Sequence, residues 1–303
     1  MMSREHRENR RRAITVDRVR RVGERVRKAA RIGVNGPAWF VTGVKYKLGL
    51  GPSERDALDP KLVCLFRRGK KRYYRWKSWL LTGRRYETST DPFRLHSIDP
   101  ARIGSVLVDD SIHEHGGITS EVIGGEWERH TVPFEELDVY RAIRDRFENG
   151  VDWTETAFYH RVRREIRSGA VKWGCETVEE FDDRCEAIDS LYESIAKNGY
   201  VPQDELWERY CTSDRSGGIE GPPSNYEVIV DIDRDGEYLL VDGRHRLSIA
   251  RLLEMDRIPV QVKARHQRWQ GKRERAKDGA AISGDHPDLC DGRPARERRH
   301  LVS

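Results

Sequence analysis

The stretch "DIDRDGEYLLVDGRHRLSIARLL", residues 231–253, admits two incompatible readings, and the choice between them decides the fold around it. In its first half Asp231, Asp233 and Asp235 stand at alternate positions, Gly236 is sixth and Asp242 twelfth, the pattern of a calcium loop. Its second half sets Gly243, Arg244, His245 and Arg246 at the start of an apolar helix, an arrangement suited to an anion.

The flanking residues favour the second reading. Val228, Val230 and Ile232 alternate as in a strand, "RDG" is a tight-turn signal, and "EYLLV" supplies the return strand. A calcium loop needs helices on both sides and a coiled backbone that turns its carboxylates inward, whereas a hairpin puts Asp231 and Asp233 on the outer face of a strand. Leu247, Ala250, Leu252 and Leu253 then follow a helical spacing, and "RIPVQVKAR" reads as a closing strand. This order places residues 243–246 where free backbone N–H groups and the positive helix end converge. Two arginines at a helix start oppose the dipole, so they need a counter-charge: a bound anion, or an internal carboxylate such as Asp242 or Glu193.

Three helices are legible upstream. Residues 133–150 start at Pro133, place Leu137, Tyr140, Ile143 and Phe147 on one face, and stop at Gly150. Residues 152–169, capped by Asp152, bury Phe158, Val162 and Ile166 and stop at Gly169. Residues 177–199 open with a Thr177/Glu180 capping box, carry Phe181, Cys185, Ile188, Leu191 and Ile195, and stop at Gly199.

Charge is segregated along the chain. Residues 1–33 hold 12 Lys/Arg against 4 Asp/Glu, and residues 61–86 hold 10 against none, while residues 87–263 hold 21 against 38. An acidic body repels polyanions, so contact with nucleic acid or an anionic membrane surface falls to the front of the chain or its tail. Val19, Val22, Val26 and Ala29 form a narrow stripe on the basic arm 1–33, which reads either as a solvated arm or as a helix lying on anionic lipid. In "RRGKKRYYRWKSWLLTGRR" the candidate contacts are Arg67, Arg68, Lys70, Lys71, Arg72, Tyr73, Tyr74 and Trp76. They can stack bases, sit at a headgroup layer, or belong to a β-hairpin turning at Gly69. The five cysteines are odd in number and scattered, which favours free thiols, and "HEH" at residues 113–115 reads as a surface turn. No apolar run reaches about 18 residues and no signal-peptide core follows the Arg-rich start, so a cytoplasmic location is expected.

"LYESIAKNGYVPQ", then a hairpin and "LLVDGRHRLSIARLLEMDRIPVQV", resembles the core of the ParB/sulfiredoxin-like superfamily over residues 185–265. The longer body resembles archaeal proteins that carry such a C-terminal domain. The resemblance implies a site for a nucleotide or another phosphate-bearing ligand, with Mg2+ accompanying a triphosphate. ParB proteins hold CTP phosphates with a G-E-R-R box; Gly243 and Arg246 match in place, with His245 standing at the first arginine, but Arg244 replaces the glutamate. Sulfiredoxins use G-C-H-R with ATP, and Arg244 stands where their nucleophilic thiol belongs, which argues against sulfinic-acid repair. Asp242 would act as a base or Mg2+ ligand, and Gln203 stands one place beyond the family's glutamine. No periodic apolar helix pair follows Lys263, so the helix-turn-helix of partition proteins is not expected.

The reading is an α+β protein. It has a basic arm (1–33), a partly β region carrying the basic aromatic segment (34–132), a helical region (133–184), a ParB/sulfiredoxin-like domain (185–265) and a disordered polar tail (266–303). Nucleotide binding is the leading expectation, with nucleic acid or an anionic membrane surface as the alternative partner of residues 61–86.

Overall fold

The structure is a computed structural model that describes residues 60–88, 91–108, 118–212, 223–224, 226–280 and 286–290. It divides into two units, Met1–Tyr73 with Tyr210–Pro222, and Tyr74–Arg209 with Pro223–Ser303. In the first unit, Cys64 and Cys211 form a disulfide. This corrects the expectation of free thiols for that pair, because residues 147 apart in sequence meet only through the fold. Cys175 and Cys185 are free and buried.

The second unit is α+β, built on one mixed sheet. Its helices, after α1 (Pro60–Ser78), are α2 (Asp138–Asn149), α3 (Ala157–Arg167), α4 (Val178–Asn198), α5 (Gln203–Thr212), α6 (Arg244–Leu252), α7 (Gln267–Lys277) and α8 (Pro287–Cys290). Strands β1 (Leu95–Ile98), β2 (Ser105–Leu107), β3 (Glu121–Ile123), β4 (Thr131–Pro133), β5 (Val228–Ile232), β6 (Tyr238–Asp242) and β7 (Ile258–His266) run in the order β1-β7-β5-β6-β2-β4, with β3 also on β7. β5 and β6 are the expected antiparallel hairpin, and β5 and β7 pair in parallel across α6. The strands β1 to β4 come from residues 95–133, so the region expected to stand apart at the front completes this sheet.

Both sheet faces are covered, and this overturns one detail of the hairpin reading. Tyr238 and Leu240 pack into the main core with Leu247 and Ala250 of α6. Leu239, which points the other way in a pleated strand, packs under Trp127 with Leu107. Asp231 lies opposite Leu239 and is fully buried rather than outward; its Oδ1 accepts from the Ala264 N–H at 2.9 Å. Asp233 closes the turn by accepting from the N–H groups of Asp235, Gly236 and Glu237 at 2.7–2.8 Å. A carboxylate satisfied in this way serves the turn, as Asx-type turns do.

The helical region matches its periodicity. Phe158, Val162 and Ile166 of α3 pack with Phe181, Cys185 and Ile188 of α4 and with Ile143 of α2. Thr177 caps α4 by accepting from the Glu180 N–H, and Gly199 ends it with φ +73°. Asp152 caps only the short 3-10 turn Trp153–Glu155, and Thr156 is the cap of α3. One residue pattern, D-x-T-x-T, offered two caps in tandem.

Two further expectations are corrected. Residues 60–78 are helix, not a hairpin turning at Gly69; with no Cβ contact to satisfy, Gly69 is carried along at modest cost. Residues 267–277, expected in a disordered tail, form α7, which buries Trp269, Gln270, Arg273 and Ala276. Half of that inward face, Gln270 and Arg273, is polar, so the apolar periodicity that marks most packed helices is broken.

Candidate functional site

The box lies where β6 passes into α6. Gly243 takes φ +96°, and a Cβ there would come within 3.0 Å of the Val228 Cα, so the position requires glycine. Its N–H donates to Asp242 Oδ1 at 2.7 Å, and Asp242 is exposed. Ser248 is a packing hydroxyl, donating to the Arg244 carbonyl at 2.8 Å.

Arg246 turns inward. Its Nη2 donates to the carbonyls of Tyr226 at 2.9 Å and Glu227 at 3.3 Å, and its Nη1 faces Glu227 Oε2 at 3.5 Å. The internal counter-charge sought in Asp242 or Glu193 is therefore Glu227, on the residue before β5. Glu227 is buried and also accepts from the Gln203 N–H and from the Tyr200 hydroxyl at 3.0 Å. Burial pushes its carboxyl up, against the pull of the Gln203 N–H and Arg246. Gln203, at the first position of α5, and Arg246 thus share one carboxylate. They also line the same cavity of about 380 Å³ with Ser194, Asn198 and Tyr200 at the end of α4. That size is in the range of small-molecule sites, about 300–1,000 Å³.

His245 faces the helical region instead. The His245 ring stacks on Trp173, with centroids 4.9 Å apart and planes 26° apart. Its Nε2 is sealed from solvent and has no hydrogen-bond partner among the described residues, and the same holds for Arg244 Nε. Burial first, then the guanidinium groups of Arg184, Arg244 and Arg246, push the imidazole down to about 3, so it is neutral at pH 7. Among the described residues, neither Arg184 nor Arg244 forms an ion pair with a carboxylate. Positive charge from α4 and the start of α6 is thus gathered around one neutral imidazole.

Trp173 and Arg184 were missed by sequence reasoning. Trp173 and Gly174 take φ +54° and +79° in a two-residue turn closed by the Lys172–Cys175 bridge. The "WG" pair was the available signal, since a first-kind primed turn needs positive φ at both centres. Arg184 gave none, being an exposed arginine among the acidic residues of α4.

The other candidates disperse. Arg67, Arg68, Lys70, Lys71, Arg72, Tyr73, Tyr74 and Trp76 all lie on α1; Arg68, Arg72 and Trp76 are exposed, whereas Tyr74 is buried and removed from any external contact. Residues 113–115 lie outside the described residues. Among the described residues no group of three or more His, Cys, Asp or Glu is placed to hold a metal ion, and no helix is long and apolar enough to cross a membrane.

A second charged cluster is structural. Asp288 of α8 is fully buried and accepts from Arg265 Nη2 at 2.7 Å and Trp269 Nε1 at 2.8 Å, while Arg273 Nε lies 3.1 Å away. Burial alone would raise this carboxyl, but Arg265 and Arg273 outweigh it and hold it far below the usual range. His96, 3.7 Å from Asp288, is pushed down to about 3 by burial.

No family model matches the chain, and neither a curated protein nor a solved structure is significantly similar to it.

Proposed function

We propose that residues 185–265 form a ParB/sulfiredoxin-like domain that binds a nucleoside triphosphate, CTP or ATP, with its phosphates at the N-terminus of α6. The observation that carries this reading is the pair Arg184 and Arg244. Arg244 opens α6 and Arg184 stands in the second turn of α4; both act on the imidazole of His245, whose Nε2 has no partner among the described residues, and both lack a carboxylate there. Cations gathered at a helix N-terminus repel both one another and the dipole, and a phosphate relieves both costs.

Roles within the box then differ. Arg244 and Arg184 neutralise phosphate, Gly243 permits the close turn, and Arg246 with Glu227 fixes β5 against the box. The cavity beside Gln203 and Arg246 takes the remainder of the nucleotide. Mg2+ binds through one or two carboxylates plus phosphate oxygens and keeps several waters, so the single exposed carboxylate of Asp242 fits an ion that arrives with the nucleotide. Such an ion would neutralise phosphate charge, and Asp242 would hold it or a substrate hydroxyl.

The test is a thermal-shift screen of the full chain with ATP, CTP and GTP, with and without Mg2+. A ligand that binds only the native state at a hundredfold excess over its Kd stabilises it by about 2.7 kcal/mol, which raises the midpoint measurably. One nucleotide is expected to shift the midpoint; no shift with any of them contradicts the reading.

A further inference from the structure

The end of α1 and the π-helical turn Trp79–Gly83 that follows it are built inside out. Tyr74, Ser78 and Thr82 are buried, and the Thr82 hydroxyl donates to the Ser78 carbonyl at 2.8 Å. The opposite side leaves Trp76 and Trp79 each 55% exposed and Leu80 41% exposed. A helix that faces water turns its apolar side inward and its hydroxyls out; here the aliphatic hydroxyls of Ser78 and Thr82 are inside and two indoles outside.

Trp76, Trp79 and Leu80 stand at i, i+3 and i+4, so they are neighbours on one helix face and form a continuous ridge. Cations rim it. Arg75 lies on one side, held by Asp91 at 3.1 Å; Lys77 lies on the other, and Arg84 and Arg85 follow the turn. Lys77, Arg84 and Arg85 form no ion pair among the described residues. The sequence around them, residues 61–86, contains ten cations and no acidic residue.

We propose that this ridge docks the protein on an anionic lipid bilayer, with Trp76, Trp79 and Leu80 entering the headgroup layer and Lys77, Arg84 and Arg85 meeting the acidic headgroups. Indoles favour that layer because an apolar ring and a polar N–H are both accommodated there, and cations beside them add attraction to acidic lipid. A nucleic-acid duplex satisfies the cations equally, but with its bases already stacked inside, its sugar-phosphate surface leaves the ridge facing water; a single strand can stack on the indoles but leaves Leu80 uncovered. The bilayer covers both kinds of group. Docking of this kind lies on the surface and requires no membrane-spanning helix. It is independent of the nucleotide site.

The experiment is co-sedimentation of the full-length protein with vesicles of phosphatidylcholine alone, and of phosphatidylcholine and phosphatidylglycerol in equal parts. Binding is expected to the acidic vesicles only and to weaken with salt. The variant Trp76→Ser/Trp79→Ser/Leu80→Ser should partition about tenfold less, with an unchanged unfolding midpoint because all three groups are exposed. In the wild type, lipids brominated on the acyl chain should quench tryptophan fluorescence, a readout that does not depend on any variant. The proposal is overturned by no binding, by binding without quenching, by binding the triple variant retains, or by affinity for a DNA duplex that the ridge substitutions abolish while vesicles are ignored.

Discussion

The imidazole of His245 stacks on the indole of Trp173, so a residue at the head of α6 is packed by a turn of the helical region. Trp173 holds φ +54°, a conformation that costs a non-glycine residue of order 1–3 kcal/mol. Its indole covers one face of the half-buried His245 ring. Replacing Trp173 with Ala is expected to raise the His245 pKa from about 3 towards its ordinary 6.5, as followed by NMR titration of the imidazole. An unchanged titration would mean that the neighbouring arginines, not burial, set it.

Acid should destabilise the protein in a defined window. His96 and His245 are held down to about 3 and His286 to about 4, in each case chiefly by burial. In the unfolded chain they take up protons near 6.5. Between those values the unfolded state binds more protons, so stability falls as pH drops from about 6.5 towards 3. The unfolding midpoint, measured against pH, should fall less steeply over this window in His96→Phe and His286→Phe than in the wild type.

Asp288 is the anchor of the tail. Removing it leaves Arg265 and Arg273 buried without their shared carboxylate, and breaking a buried pair in this way costs about 3–5 kcal/mol. Asp288→Ala should lower the urea midpoint accordingly. The same change at exposed Asp242 should leave it within about 0.5 kcal/mol of the wild type.

Arg244 and Arg246 should separate in stability. Arg246 spans two carbonyls and Glu227, so Arg246→Ala strands a buried carboxylate and should cost about 2–4 kcal/mol. Arg244 has no such partner among the described residues, and Arg244→Ala should be neutral or slightly stabilising, since it removes repulsion at the head of α6. Denaturant unfolding of the two variants in parallel checks this.

Much of the second unit was readable because its period is regular. Val228, Val230 and Ile232 alternate, Phe158, Val162 and Ile166 recur at four, and Thr177, Gly199 and Gly243 mark boundaries with a physical reason. What escaped was non-local. The Cys64–Cys211 disulfide, the Glu227 carboxylate that serves Arg246, Gln203 and Tyr200, and the burial of Asp231 between two covered faces depend on residues far apart in sequence. The helix α7 escaped for a different reason: its buried face carries Gln270 and Arg273, which look like solvent residues until Asp288 is brought to meet them. The box could be located by sequence, but which of its arginines is held by an internal carboxylate could not.

The central claim is that the positive charge at the head of α6 exists to bind phosphate, and calorimetric titration of ATP and CTP with Mg2+ into wild type and Arg244→Ala tests it most directly. The wild type should bind one of them, and the variant, folded to the same unfolding midpoint, should lose at least about tenfold in affinity, the worth of one charge-assisted contact near 1.4 kcal/mol. Equal affinity in the two proteins, or no heat with either nucleotide, would contradict the claim and leave the cluster as packing between α4 and α6.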